Sequence, residues 1–283
     1  MVGSCHISPH SRVSHQSKPI LGLATGFGEA WGRSHLESPS VPHLPGPQGM
    51  SGMTSRYREI SRLLRLPFHV LDAHRRVRKL NARAHRLEEI VDLSLDLGSK
   101  GLLKVTARQI RSEILGLARA VEQIKPRTIL EIGTARGGTL LIWAHLASAR
   151  VITCDLEQSP LRRRLYRRFP RPGGPEIVPL AGDSHAPQFR MRVEAVLQGD
   201  PVDFLFIDGD HTLDGVRADY ESYRNLVRPG GLIAFHDIVP KQPFAETRVH
   251  DFWIELRRRT ITEELVQNWD QVGFGIGLVR VKE

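Results

Sequence analysis

Two cysteines in 283 residues exclude a disulfide framework. They are Cys5 and Cys154, and the second falls inside an apparent strand, which fits a reducing cytoplasm. Aromatic residues are sparse at 6%, and the hydrophobic fraction of 40% suffices for one good core. No apolar run approaches the roughly 20 residues that a membrane helix needs, so no integral membrane segment is expected. The nearest run, ILGLATGFGEAW (Ile20–Trp31), is short, lies too far in and contains Glu29, so no secretion signal is read. Acids are outnumbered, 31 against 40 Lys and Arg, for a net charge of +9. Such a balance can draw nucleic acid, an anionic membrane face or an acidic substrate. No nucleic-acid motif accompanies it, and none is expected as a partner. A Ser-His-Asp order, a CxxC zinc pattern and a Walker loop are also missing.

What is present divides the chain in three. Residues 1–52 are rich in Ser, Pro, Gly and His, and SPSVPHLPGPQG has the composition of a linker that buries no core. They read as a disordered leader, or as a mis-assigned start ahead of Met50 or Met53. Residues 54–100 read as an N-terminal helical segment, with Ile60, Leu63, Leu64, Val70, Leu71, Val77, Leu80, Leu87, Ile90 and Val91 at three- and four-residue spacings. Pro67 is expected to split it. Its polar face is rich in arginine and reads as a solvated face, with membrane contact as the second reading. These helices could also supply a homodimer contact. Residues 101–283 alternate strands and helices. VTARQIRSEILGLARAVEQI reads as one helix, RTILEIG, RVITCD, EIVPLAG, VDFLFID and GLIAFHD as strands, and TEELVQN with GFGIGLVRV as a closing antiparallel pair. Alternation of this kind implies an α/β fold, a mostly parallel sheet with helices on both faces.

In such sheets ligands sit beyond the carboxyl ends of the strands. The first tip is LEIGTARGGT, with Gly133 for a tight turn, then Thr134, then Gly137 and Gly138 for close backbone approach at a helix start. The spacing is not the dinucleotide G-x-G-x-x-G, and Glu131 would repel a pyrophosphate while suiting an ammonium or sulfonium group. Asp155, at the second tip, is placed to accept from ribose hydroxyls. Asp183, at the third, could take an adenine amine or cap the next helix. The fourth tip, FLFIDGDHTLDG, gathers Asp208, Asp210, His211 and Asp214, and the fifth ends in His236 and Asp237.

The pieces LEIGTARGG, CDLE, AGDS, DFLFIDGDH and LVRPGGLIAFHDI, in that order, resemble class I S-adenosylmethionine-dependent methyltransferases. The last two resemble the subgroup of small-molecule and sugar O-methyltransferases and cephalosporin hydroxylase-like proteins. The resemblance covers about residues 108–281. It implies a Rossmann-like seven-stranded sheet of order 3-2-1-4-5-7-6. It also implies transfer of a methyl group from S-adenosylmethionine to a hydroxyl of a small molecule. Cofactor contacts would come from Glu131, Gly133, Thr134, Gly137, Gly138, Asp155, Asp183 and Asp208. Metal-dependent members carry a divalent cation at the fourth and fifth tips, here Asp208, His236 and Asp237; Mg²⁺ is usual, and a histidine favours Mn²⁺ or another transition metal. His211, with Asp208, would be catalytic, the imidazole serving as general base. The alternatives are a cephalosporin hydroxylase-like oxygenase component and a non-catalytic cofactor-binding subunit.

Overall fold

The computed structural model describes residues 50–282, with side chains from Leu64 onward. Residues 1–49 of the expected leader lie outside the described residues. The chain runs through α1 (Met50–Asn81), α2 (Leu87–Leu95), α3 (Arg111–Gln123), β1 (Thr128–Ile132), α4 (Gly138–Leu146), β2 (Arg150–Asp155) and α5 (Pro160–Tyr166). It continues through β3 (Glu176–Ala181), α6 (Pro187–Leu197), β4 (Val202–Ile207), α7 (Leu213–Tyr223), β5 (Val227–His236), α8 (Val249–Arg257), β6 (Thr262–Leu265) and β7 (Ile276–Arg280).

The strands form one seven-stranded sheet of order β3-β2-β1-β4-β5-β7-β6. The first five are parallel, and β7 runs antiparallel between β5 and β6. This is the order and the closing hairpin that the resemblance implies. Strands β1 and β4 are buried along their whole length, which explains their unbroken apolar runs. Side chains alternate between two cores. Ile129, Phe204 and Phe206 face the layer of α2, α3 and α4, where Trp143 meets both phenylalanines edge-on at 5.0 and 5.5 Å. Leu130, Leu205 and Phe235 face α6, α7 and α8, with Phe189, Phe252 and Trp253. Trp143 and Trp253 are therefore core residues, each fully buried.

Local sequence sets several boundaries. Pro160 and Pro187 open α5 and α6, where a missing N–H costs no helical bond. Thr212 caps α7 by accepting from Gly215 N, and Asp214 lies in that helix's first turn, as its sequence position suggests. Two expectations fail. The break at Pro67 does not occur, and α1 runs through it. Pro67 lies on an exposed face, so water can satisfy the carbonyl that loses its donor. Nor does a helix begin at Val105; residues 104–110 are non-helical with a bend at Gln109, and α3 starts at Arg111. The backbone there is pinned by other partners: Ala107 N donates to Ser94 O at 2.7 Å, Val105 N to Ser99 Oγ at 2.8 Å, and Thr106 Oγ1 to Leu95 O.

A buried acid on α3 fixes the far end of the sheet. Glu113, 2% exposed, accepts from Gln267 N (2.9 Å), Gln271 Nε2 (2.8 Å) and Gly275 N (2.9 Å), stapling the β6–β7 turn. Replacing Glu113 by Ala strands these donors and should destabilise the protein by about 3 kcal/mol. That corresponds to a fall in Tm of roughly 6–12 °C for a chain this size, read by thermal unfolding. Glu113→Gln, which keeps one acceptor, should lose clearly less.

Candidate active site

Four loops converge beyond the carboxyl ends of β1, β2, β4 and β5. The loop after β1 is shaped by crowding. Gly133 has φ +100°, and a Cβ there would lie 1.9 Å from Asp208 O, so only glycine lets the first and fourth tips touch. Ala135 N donates to Asp155 Oδ2 at 2.7 Å, which ties the first tip to the second. A Cβ on Gly138 would lie 2.0 Å from Ala107 N, so the non-helical 104–110 segment roofs the start of α4.

The sequence-predicted residues divide into two groups. Glu131 and Thr134 turn inward. Glu131 is fully buried, accepting from Trp143 Nε1 at 2.8 Å and Thr153 Oγ1 at 2.5 Å. Thr134 Oγ1 contacts Thr153 Oγ1 and accepts from Gln158 Nε2 at 2.9 Å. Neither side chain faces the cleft, so in this structure the Glu131 carboxylate is not open to a ligand's ammonium or sulfonium. Its place on the buried helix-facing side of β1 follows from strand alternation. Asp155 keeps Oδ1 without a donor among the described residues. Asp183 is exposed and accepts from His185 N at 2.9 Å, which closes a turn; the cap of α6 is Ala186, so the helix-capping reading does not hold. Arg136 is exposed.

Asp208, His211, His236 and Asp237 do come together. His211 Nε2 lies 3.2 Å from Asp208 Oδ1, and its Nδ1 lies 3.5 Å from Asp237 Oδ2. His236 sits beneath, 5% exposed, with Nδ1 3.2 Å from Asp208 Oδ1 and 3.5 Å from Asp237 Oδ1. These contacts lie off the hydrogen-bonding direction, so neither His236 nitrogen has a hydrogen-bond partner. Asp237 holds φ +64°, a strained value for a residue with a Cβ, and is fixed by Phe274 N donating to Oδ1 at 2.8 Å and Gln242 Nε2 donating to its carbonyl at 3.0 Å.

The electrostatics follow from two acids facing two imidazoles. Burial works against charge on Asp208, but the field of His236 and the bond to His211 hold its carboxyl well below the usual range. Burial likewise opposes ionisation of Asp237, and His236 outweighs it. Hydrogen bonding to Asp208 raises His211 above its ordinary value. His236 is raised to about 10, because the two carboxylates outweigh its burial.

One donor from Asp208, His211 and Asp237 each lies within 4.8 Å of the others, a set that fits a divalent cation. The Nδ1 of His236 adjoins the same carboxylates. Sequence reasoning missed Gln109, whose Nε2 donates to Asp208 Oδ2 at 3.2 Å. Its periodicity placed it inside a helix, and nothing local marks it. The Phe274 amide was missed because backbone donors carry no residue signature.

Residues 130–238 match a family model described as "Methyltransferase domain". No curated protein matches the chain by sequence. Among solved structures the chain is similar to an O-methyltransferase from Bacillus cereus in complex with SAH, at 20% identity over 69% of this chain and 90% of that one, TM-score 0.45. It is also similar to the O-methyltransferase TomG from Streptomyces achromogenes, involved in tomaymycin synthesis and in complex with SAM. There the identity is 19% over 71% of this chain and 92% of that one, TM-score 0.47. A third, the MycE methyltransferase from the mycinamycin biosynthetic pathway, in complex with Mg and SAH, is 18% identical over 71% of this chain and 56% of that one, TM-score 0.47.

Within the matched residues Glu131 carries a testable charge. Burial raises its carboxyl from 4.5 to about 7, against hydrogen bonds from Thr139, Thr153 and Trp143. Between those pH values the folded chain holds a proton that the unfolded chain has released. Its contribution to stability therefore falls as pH rises through that window, by roughly 3 kcal/mol in all. Urea unfolding at pH 5 and pH 8 should show that decline in the unsubstituted protein and a flatter response in Glu131→Gln.

Proposed function

We propose that the protein moves the methyl group of S-adenosylmethionine to a hydroxyl of a small molecule, with His211 as general base and a divalent cation at Asp208, His236 and Asp237. The observation that carries this reading is the joint placement of a glycine loop, a ribose-ready Asp155 and an imidazole between two carboxylates, all at the carboxyl ends of parallel strands. S-adenosylmethionine supplies a methyl group already activated by its sulfonium, so alignment carries most of the rate.

The chain's own residues have defined tasks in this reading. Gly133, Gly137 and Gly138 let the backbone approach the amino-acid end of the cofactor, and Asp155 Oδ1 accepts from the ribose. Asp183 reaches the adenine edge. Thr134 and Glu131 support the loop from beneath. His211, its side chain 40% exposed, would take the hydroxyl proton as the oxygen–methyl bond forms and the sulfur–methyl bond breaks, sulfur keeping the electron pair and leaving as S-adenosylhomocysteine. For that it must be neutral, and the two carboxylates favour the imidazolium. A cation held by Asp208 and Asp237 would cancel that field and lower the pKa of the acceptor hydroxyl.

A second reading has its own observation. Asp208, His211 and Asp237 offer three ligand atoms that all lie within 4.8 Å of one another, and His211 is the more exposed of the two histidines. It would then be a ligand and not the base. Titration with Mn²⁺ separates the two: His236→Ala should weaken Mn²⁺ about tenfold or more under the first reading, and His211→Ala should leave it nearly unchanged. The reverse pattern would establish the second.

The cofactor reading is tested by calorimetric titration of the full chain with S-adenosylhomocysteine. Micromolar binding is expected, weakened at least tenfold in Asp155→Ala; an absence of binding with and without Mn²⁺ would remove the methyltransferase reading. The homodimer expected from the sequence is supported by Leu64, Phe68 and Leu71, exposed at helical spacing on α1. Light scattering should show a dimer that Phe68→Glu with Leu71→Glu converts to a monomer.

A further inference from the structure

Among the described residues, Gln109 is the one side chain from outside residues 130–238 that bonds a side chain of the Asp208, His211, His236 and Asp237 cluster. Its amide is committed at one end only. A carboxylate accepts and cannot donate, so Nε2 must be the atom facing Asp208 Oδ2, at 3.2 Å. That forces Oε1 the other way. Oε1 is buried and has no hydrogen-bond partner among the described residues. A buried, unpartnered acceptor costs stability unless something donates to it.

Its surroundings say what that donor is. Gln109 lies at a bend in the non-helical segment whose Thr106–Ala107 backbone lies against Gly138 at the start of α4. Gly133 touches the backbone of Asp208. Gln109 thus stands where the glycine loop, the roof over it and the Asp208 carboxylate meet. A neutral oxygen acceptor beside a carboxylate favours a cationic N–H donor.

We propose that Gln109 Oε1 accepts from the ammonium of the cofactor's amino-acid end, with Asp208 anchoring the amide in the required orientation. This rests on the S-adenosylmethionine reading above. It makes Gln109 a binding and positioning residue, and it brings the segment before the domain into cofactor recognition.

The test compares S-adenosylhomocysteine with its deaminated analogue, which keeps the carboxylate and lacks the ammonium, by calorimetry on the full chain. The unsubstituted protein should prefer the amine-bearing compound by about tenfold or more, the range of one hydrogen bond to a charged group. Gln109→Met and Gln109→Ala should lose most of that preference while binding the analogue as before. The Met variant fills the same volume, and unchanged thermal unfolding without ligand would show that either variant is folded. Equal binding of both compounds by the unsubstituted protein overturns the proposal, and so does full discrimination kept by a folded variant. Failure of the unsubstituted protein to bind either compound removes the cofactor reading itself, and the proposal with it.

Discussion

The Asp208 carboxylate, its side chain only 17% exposed, must be met by positive charge or by hydrogen-bond donors. Its two oxygens organise the centre. Oδ1 faces His211 and His236; Oδ2 takes the Gln109 amide. Asp237 adds a second negative charge against the same imidazoles. Two acids and two histidines balance when both rings are protonated. That arrangement is stable as it stands, and it is the wrong one for a general base. Supplying the balancing charge in another form frees one imidazole, which is why the same cluster can be read as a cation site and as a proton acceptor.

The scaffold around this cluster repeats one device, a buried acid that accepts from the backbone at a loop end. Glu113 holds the β6–β7 turn through Gln267 N and Gly275 N, and Phe274 of that turn in turn fixes Asp237. Asp203 accepts from Arg127 N and Thr128 N at 2.8 Å each and from Arg228, which locks the start of β1 beside β4. Asp203 removes freedom from a strand whose far end carries the site, while Glu113 holds a turn that lies beside the site itself. The strained backbone of Asp237 persists because Phe274 and Gln242 over-determine it.

The sheet was legible in the sequence because its strands are buried on both faces and so appear as unbroken apolar runs, each followed by glycine or an acid. Tips appeared as tips, and Asp208, His211, His236 and Asp237 could be grouped because neighbouring strands in this order end together. The direction of a side chain at a tip was less legible. Glu131 precedes the glycine loop by two residues and looked like a ligand contact, yet it lies on the face where Trp143 and Thr153 enclose it. Strand alternation places it on one face or the other; only the path of the loop after Ile132 says which face the cleft uses. Pro67 and Val105 failed for a related reason. A local rule holds until solvent or a distant partner satisfies the same group, as water can at Pro67 and Ser94 does at Ala107.

Gln109 shows where a local reading stops. Its neighbours carry helical spacing, and its type is unremarkable in a helix. What sets it apart is a contact spanning 99 positions to Asp208, made because residues 104–110 are held out of a helix by α2 and the turn after it. The segment before residue 130 is therefore bonded to the centre and lies over the start of α4. A change in how that segment lies would alter two things together, the cover over Gly138 and the orientation of Asp208. Under the proposed role of Gln109, cofactor recognition and the orientation of Asp208 would share a single amide.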